Sequence, residues 1–132
     1  IFIHGLTGDS DITWTNHDAK TFTPDLVCTQ FPSARVIIYG YDADIVGLWK
    51  NASGEGLRGY DKALAYAISN SRPDETKRPL FFIVHSLGGL FIKQAILVPL
   101  DPSESLLQSA APCTAEIMFM DTPHSGPDLA KW

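Results

Sequence analysis

The sequence of 132 residues predicts an α/β domain, a mostly parallel sheet with helices on both faces. Three observations lead there. Apolar runs that suit buried strands alternate with segments whose apolar residues recur at helical spacing, in the order strand, helix, strand, helix, strand, helix, strand. The sharpest of these junctions, within Leu80 to Leu97, passes from strand to helix at a serine with two glycines close behind it. The stretches richest in chemistry, His4-Gly5, Ser86 and Asp121 to His124, each fall just past the carboxyl end of a strand, where parallel sheets place their ligands.

The first strand is the apolar run Ile1-Phe2-Ile3, which enters the glycine-punctuated turn His4-Gly5-Leu6-Thr7-Gly8. No Gly-Lys-Ser/Thr follows, so the turn is not a phosphate-binding P-loop. Gly5 permits a tight turn there, and a strand-ending turn with no chemistry is the plainer reading of these residues alone. Asp9 to Lys20 reads as a polar loop around Trp14, and its Asp9, Asp11 and Asp18 lack the spacing of a calcium loop. Pro24 to Phe31 reads as a short helix, with Pro24 near its start and Pro32 past its end. Ala34 to Tyr41 is the second strand. Asp42 to Gly56 is a long loop, either the rim of a pocket or plain surface. Leu57, Tyr60, Leu64, Ala67 and Ile68 share one helical face, ended by Ser71-Arg72-Pro73.

Leu80-Phe81-Phe82-Ile83-Val84 suits a strand buried on both faces. Beyond it Leu87, Leu90, Phe91, Ala95 and Val98 fall on one helical face, with Ser86 between strand and helix. A strand that turns sharply into a helix at a serine is a nucleophile elbow, lifting the hydroxyl above the sheet beside the free N–H groups of the helix start. Such an elbow wants small residues two before and two after the serine. Gly88 meets that need and Val84 does not. A serine that merely caps the helix is the plainer alternative. Pro99 to Pro112 reads as a polar linker, and Ala115 to Met120 as the last strand, running into Asp121-Thr122-Pro123-His124-Ser125-Gly126.

Composition narrows the function. A hydrophobic content of 45% supplies one core, and a net charge of −5 argues against nucleic acid or an anionic membrane surface as the main partner. No apolar run approaches the ~20 residues of a membrane span. The four histidines are scattered and Cys28 and Cys113 form no Cys-x-x-Cys, so neither a metal nor a cofactor is expected. The two thiols could pair but read rather as reduced cysteines of an intracellular protein, cytoplasmic or within an organelle, and Asn51-Ala52-Ser53 reads as a chance sequon. Residues 1–132 read as a single domain that is incomplete at its C-terminus and fused to further domains.

Phe2 to Gly8, Tyr39 to Asp44, His85 to Leu90 and Thr122 to Gly126 together resemble the serine-esterase/lipase branch of the α/β-hydrolase superfamily. Within that branch the N-terminal domains of fungal NACHT/ankyrin NLR-like proteins look most similar. The resemblance implies a partial α/β-hydrolase fold and hydrolysis of a small-molecule or lipid ester. It implies Ser86 as nucleophile, Leu6 and Leu87 N–H groups as the oxyanion hole, and His4, Gly5 and Gly88 as the supporting loop. Val84 and Asp121 stand where the family usually has glycine. In this fold the acid and the histidine follow the serine, the histidine near the end of the domain. Asp121 and His124 are the candidates in range for an acid or a pocket residue, while His17 has no motif around it. The alternative is a hydrolase fold kept as a catalytically silent signalling or interaction domain.

Overall fold

The computed structural model describes residues 1–5, 8–41, 58–72, 77–97 and 111–124. Four parallel strands form the sheet in the order β4-β1-β5-β6: β1 (Phe2–Ile3), β4 (Ile38–Tyr39), β5 (Leu80–His85) and β6 (Thr114–Met120). Between β1 and β4 come α1 (Ser10–Trp14), the antiparallel pair β2 (Thr15–Asn16) and β3 (Thr21–Phe22), and α2 (Thr23–Gln30). Helix α3 (Arg58–Asn70) precedes β5, and α4 (Gly88–Leu97) follows it.

Strand side chains alternate between faces, and the core lies on one of them. Ile3, Leu80, Phe82 and Val84 pack there against Leu64, Ala65 and Ile68 of α3 and Ile92 and Ala95 of α4. Each large side chain so buried contributes about 1.5–3 kcal/mol. In α3 the face expected from sequence is the one that packs, through Leu64 and Ile68; in α4 the core residues are Ile92 and Ala95, of which only Ala95 belongs to the expected face, while Phe91 is buried edge-on to Tyr41 instead. Leu57, Val98, the Asp42 to Gly56 loop, the sequon and most of the Pro99 to Pro112 linker lie outside the described residues.

Three expectations are corrected. The polar stretch after Gly8 is not all loop. The Asp9 carboxylate accepts the N–H groups of Asp11 and Ile12 at 2.8 and 2.7 Å, and this cap starts α1. The second strand shrinks to Ile38–Tyr39 because β1, its partner, offers only Phe2 and Ile3 for pairing. Finally, β5 is not buried on both faces. Trp14 packs edge-on to Phe2 at 5.0 Å and covers the β1 part of the second face, but Phe81 and Met118 are each 55% exposed. None of the described helices is long and apolar enough to cross a membrane.

Candidate functional site

Ser86 sits in the turn between β5 and α4 with a φ of +50°, in the left-handed region that a residue with a Cβ seldom occupies. Its place is fixed from both sides: its N–H donates to the Met120 carbonyl at 2.8 Å, and its own carbonyl accepts the Gly89 N–H at 3.1 Å. The N–H groups of Leu90 and Phe91 turn back onto the Leu87 carbonyl at 2.9 and 3.2 Å. With these spent inside the turn, the Leu87 and Gly88 N–H groups stand at the helix start with no acceptor among the described residues, where the backbone dipoles favour negative charge.

The end of β1 closes on this turn. A Cβ on Gly5 would fall 2.7 Å from the Ser86 Cβ and 3.2 Å from the His85 Nδ1. A Cβ on Gly88 would fall 2.5 Å from the His4 carbonyl oxygen and 2.9 Å from that of Ile3. Backbone therefore lies where side chains would normally stand, and two glycines far apart in sequence make that approach possible. Val84, which replaces the expected small residue, is fully buried on the core side and leaves the left-handed turn at Ser86 intact.

His4 is 1% exposed and both ring nitrogens are occupied. Nε2 accepts the Tyr41 N–H at 3.3 Å, so Nδ1 carries the hydrogen that meets the Gly5 carbonyl at 2.8 Å. The Tyr41 ring stacks on the imidazole at 4.3 Å, and its hydroxyl donates to the His4 carbonyl at 2.7 Å. Burial, then the neighbouring Tyr39, pushes the Tyr41 hydroxyl far above its ordinary pKa, which keeps it a donor. This clamp holds the turn beside Ser86. Sequence reasoning assigned no role to Tyr41, although it stands at the end of the expected second strand and inside one of the stretches that carry the family resemblance.

The remaining candidates are spread around the same end of the sheet. Leu6 lies outside the described residues, as do Ser125 and Gly126. His85 turns toward α1, its ring edge-on to Trp14 at 6.4 Å. Asp121 is exposed, has a φ of +52°, and directly follows Met120, the backbone partner of Ser86. His124 is drawn to α4: its Nδ1 lies 2.9 Å from the Lys93 ammonium, and its ring is edge-on to Phe119 at 4.9 Å. An ammonium has only donors, so Nδ1 is the acceptor there and Nε2 holds the ring hydrogen. Thr122 packs against Gly89, where a Cβ would collide with its side chain. His17 is exposed in the turn between β2 and β3. Among the described residues no group of three or more His, Cys, Asp or Glu could hold a metal ion.

Comparison with known proteins gives a distant homologue. Protein SERAC1 of Mus musculus is 28% identical over 154 aligned positions, which take in all of this chain and 22% of that protein. Protein SERAC1 of Danio rerio is 24% identical with the same coverage. The chain spans about a fifth of the length of these curated relatives. No protein-family model matches the chain, and no solved structure matches it.

Proposed function

We propose that the chain carries the nucleophile and oxyanion elements of a serine hydrolase that acts on carboxylic esters, in an α/β-hydrolase-like domain of a longer, cytoplasmic protein. The observation that carries this reading is the left-handed Ser86 between β5 and α4, with Gly5 packed against its Cβ. A serine that only capped the helix would adopt extended backbone, as Asp9 does at α1 with φ −110°. The distant homology to SERAC1 is compatible with a hydrolase-like or lipid-related role.

In the reaction the Ser86 hydroxyl adds to the ester carbonyl carbon and gives up its proton to a general base. The carbonyl π electrons move onto oxygen, and the Leu87 N–H and that of Leu6 receive the charge, about 3 kcal/mol of stabilisation per donor. Collapse breaks the ester C–O bond as the base returns its proton to the departing alkoxide, leaving an acyl-serine, which water, deprotonated by the same base, cleaves to the carboxylic acid with return of the proton to Ser86. The base is assigned to a histidine elsewhere in the full-length protein, with Asp121 as a candidate acid, because His4 has no ring nitrogen to spare and His124 holds its accepting nitrogen against Lys93.

That same occupancy of His4 and His124 favours a second reading. In it the fold is a silent interaction domain of a larger protein, of the kind the NACHT/ankyrin resemblance implies. Fluorophosphonate labelling of the full-length protein decides between them. Labelling that vanishes in Ser86→Ala supports the esterase; labelling that persists removes Ser86 as nucleophile, and none at all in a folded protein supports the silent domain.

A further inference from the structure

Two N–H groups stabilise an oxyanion only while both lie about 2.7–3.1 Å from the place where the charge develops. In the proposed site they come from separate elements, the turn after β1 and the start of α4, so their spacing has to be set by something that touches both. Gly5 cannot set it. Without a Cβ it leaves the peptide planes on either side of it free to rotate, and its closeness to the Ser86 Cβ forbids a larger residue.

Tyr41 supplies the restraint from outside the turn. Its hydroxyl donates to the His4 carbonyl at 2.7 Å, which fixes the peptide plane entering Gly5. The same carbonyl oxygen lies against the start of α4, 2.5 Å from where a Cβ on Gly88 would stand. The Tyr41 N–H donates to His4 Nε2 at 3.3 Å, which leaves the ring hydrogen on Nδ1, and that hydrogen holds the Gly5 carbonyl at 2.8 Å. A trans peptide carries its C=O and N–H on opposite sides, so the plane leaving Gly5 is held as well, and with it the direction of the next N–H.

The Tyr41 ring completes the link. It lies parallel to the His4 imidazole at 4.3 Å and edge-on to Phe91 of α4 at 5.1 Å. Phe91 in turn donates its N–H to the Leu87 carbonyl at 3.2 Å. One side chain thus touches both elements that carry the proposed donors. We propose that Tyr41 is a positioning residue of the oxyanion hole, its hydroxyl acting through the His4 carbonyl to set the spacing between the β1 turn and the start of α4. The role rests on the esterase reading. It differs from support of the fold, because a displaced donor slows bond formation at Ser86 without weakening the first encounter with the reagent.

Fluorophosphonate labelling of the full-length protein over a range of reagent concentrations separates the two. Saturation yields the dissociation constant of the first complex, KI, and the maximal rate of phosphonylation, kinact. Tyr41→Phe keeps the ring and loses the hydroxyl. Its kinact should fall about tenfold with KI unchanged, less than the roughly 10²–10³-fold lost when an oxyanion donor is removed outright. Tyr66→Phe, which removes a hydroxyl from the exposed side of α3, should leave both constants at their wild-type values. Unfolded molecules lower the amount labelled and not the rate constant, so a purely structural role leaves kinact in place. An unchanged kinact in Tyr41→Phe, with the wild type labelled at Ser86, overturns this role and leaves the esterase reading standing. A loss confined to the labelled amount, or to KI, overturns it as well. Absence of labelling in the folded wild type overturns the esterase reading, and the role of Tyr41 with it.

Discussion

At the scale of single residues, the site is built from backbone that ordinary side chains resist. Holding Ser86 at φ +50° costs on the order of 1 kcal/mol or more, which the surrounding hydrogen bonds to Met120 and Gly89 must sustain. Ser86→Gly should therefore be more stable than Ser86→Ala by about 1 kcal/mol in urea unfolding, although both lack the hydroxyl. Equal stability of the two variants would mean that the left-handed turn is not retained in solution. The Tyr41 clamp gives a second expectation. Tyr41→Phe keeps the ring stacked on His4 and loses the bond to the His4 carbonyl, a cost of about 1 kcal/mol. Because the folded protein holds the Tyr41 pKa above its ordinary value of 10.0, the unfolded chain loses that proton first. The contribution of Tyr41 to stability is thus complete below about pH 10 and declines above it. The stability difference between wild type and Tyr41→Phe should shrink as the pH is raised past 10, read from urea midpoints at each pH. The strand-to-helix turn at Ser86 was legible in the sequence, because a strand, a serine and two glycines are neighbours in the chain. The His4–Tyr41 pair was not: its two members are 37 positions apart, and only the folded sheet brings them together.

At the scale of elements, β1, the turn at Ser86 and α4 form one interlocked unit. Gly88 is its least yielding point, since a methyl group there meets the carbonyl oxygens of His4 and Ile3, which are backbone and cannot swing aside. Gly88→Ala should cost about 1–3 kcal/mol and reduce fluorophosphonate labelling of the full-length protein. Gly40→Ala is the matched control, because a methyl group at Gly40 meets nothing within 4 Å. Its unfolding midpoint should stay at or above that of wild type. If both substitutions behave alike, close approach at Gly88 is not what holds the turn. Elements with a repeating apolar pattern were readable from sequence. Helix α3 announces its core face through Leu64 and Ile68, whereas in α4 the expected face holds the core residue Ala95 but misses Ile92, which is wholly buried. The failures have physical causes too. Helix α1 has five residues, too few to display a period, and depends on the Asp9 cap. The apolar run from Ala34 overstated β4, because strand length is set by the partner and β1 pairs through only two residues.

At the scale of the molecule, the two faces of the sheet are unequal. One is sealed by α3 and α4, whereas the other carries Phe81 and Met118 at 55% exposure and Met120 at 44%. Pairing in register sets Phe81 beside the exposed Glu116, Ile83 beside Met118 and His85 beside Met120, so a strip runs along β5 and β6 that is apolar in its middle and carries Glu116 and His85 at its ends. Among the described strands β6 has a neighbour on one side only, leaving backbone donors and acceptors along its outer edge. Sequence alone could not reveal this asymmetry, because Phe81 and Phe82 are the same residue type and differ only in which face is covered. An apolar strip next to an unpaired edge is a surface on which chains associate. The isolated polypeptide of 132 residues should therefore self-associate in sedimentation velocity, increasingly with concentration. Phe81→Lys combined with Met118→Lys should shift the population toward monomer without loss of helical signal, since neither side chain contributes to the buried core. A wild-type chain that stays monomeric at every concentration would show that this strip is covered within the chain itself. In the full-length protein the same pair of lysines distinguishes two situations. If another part of the protein packs on the strip, the charges are forced against apolar surface and the unfolding midpoint falls; if the strip faces water, the midpoint holds.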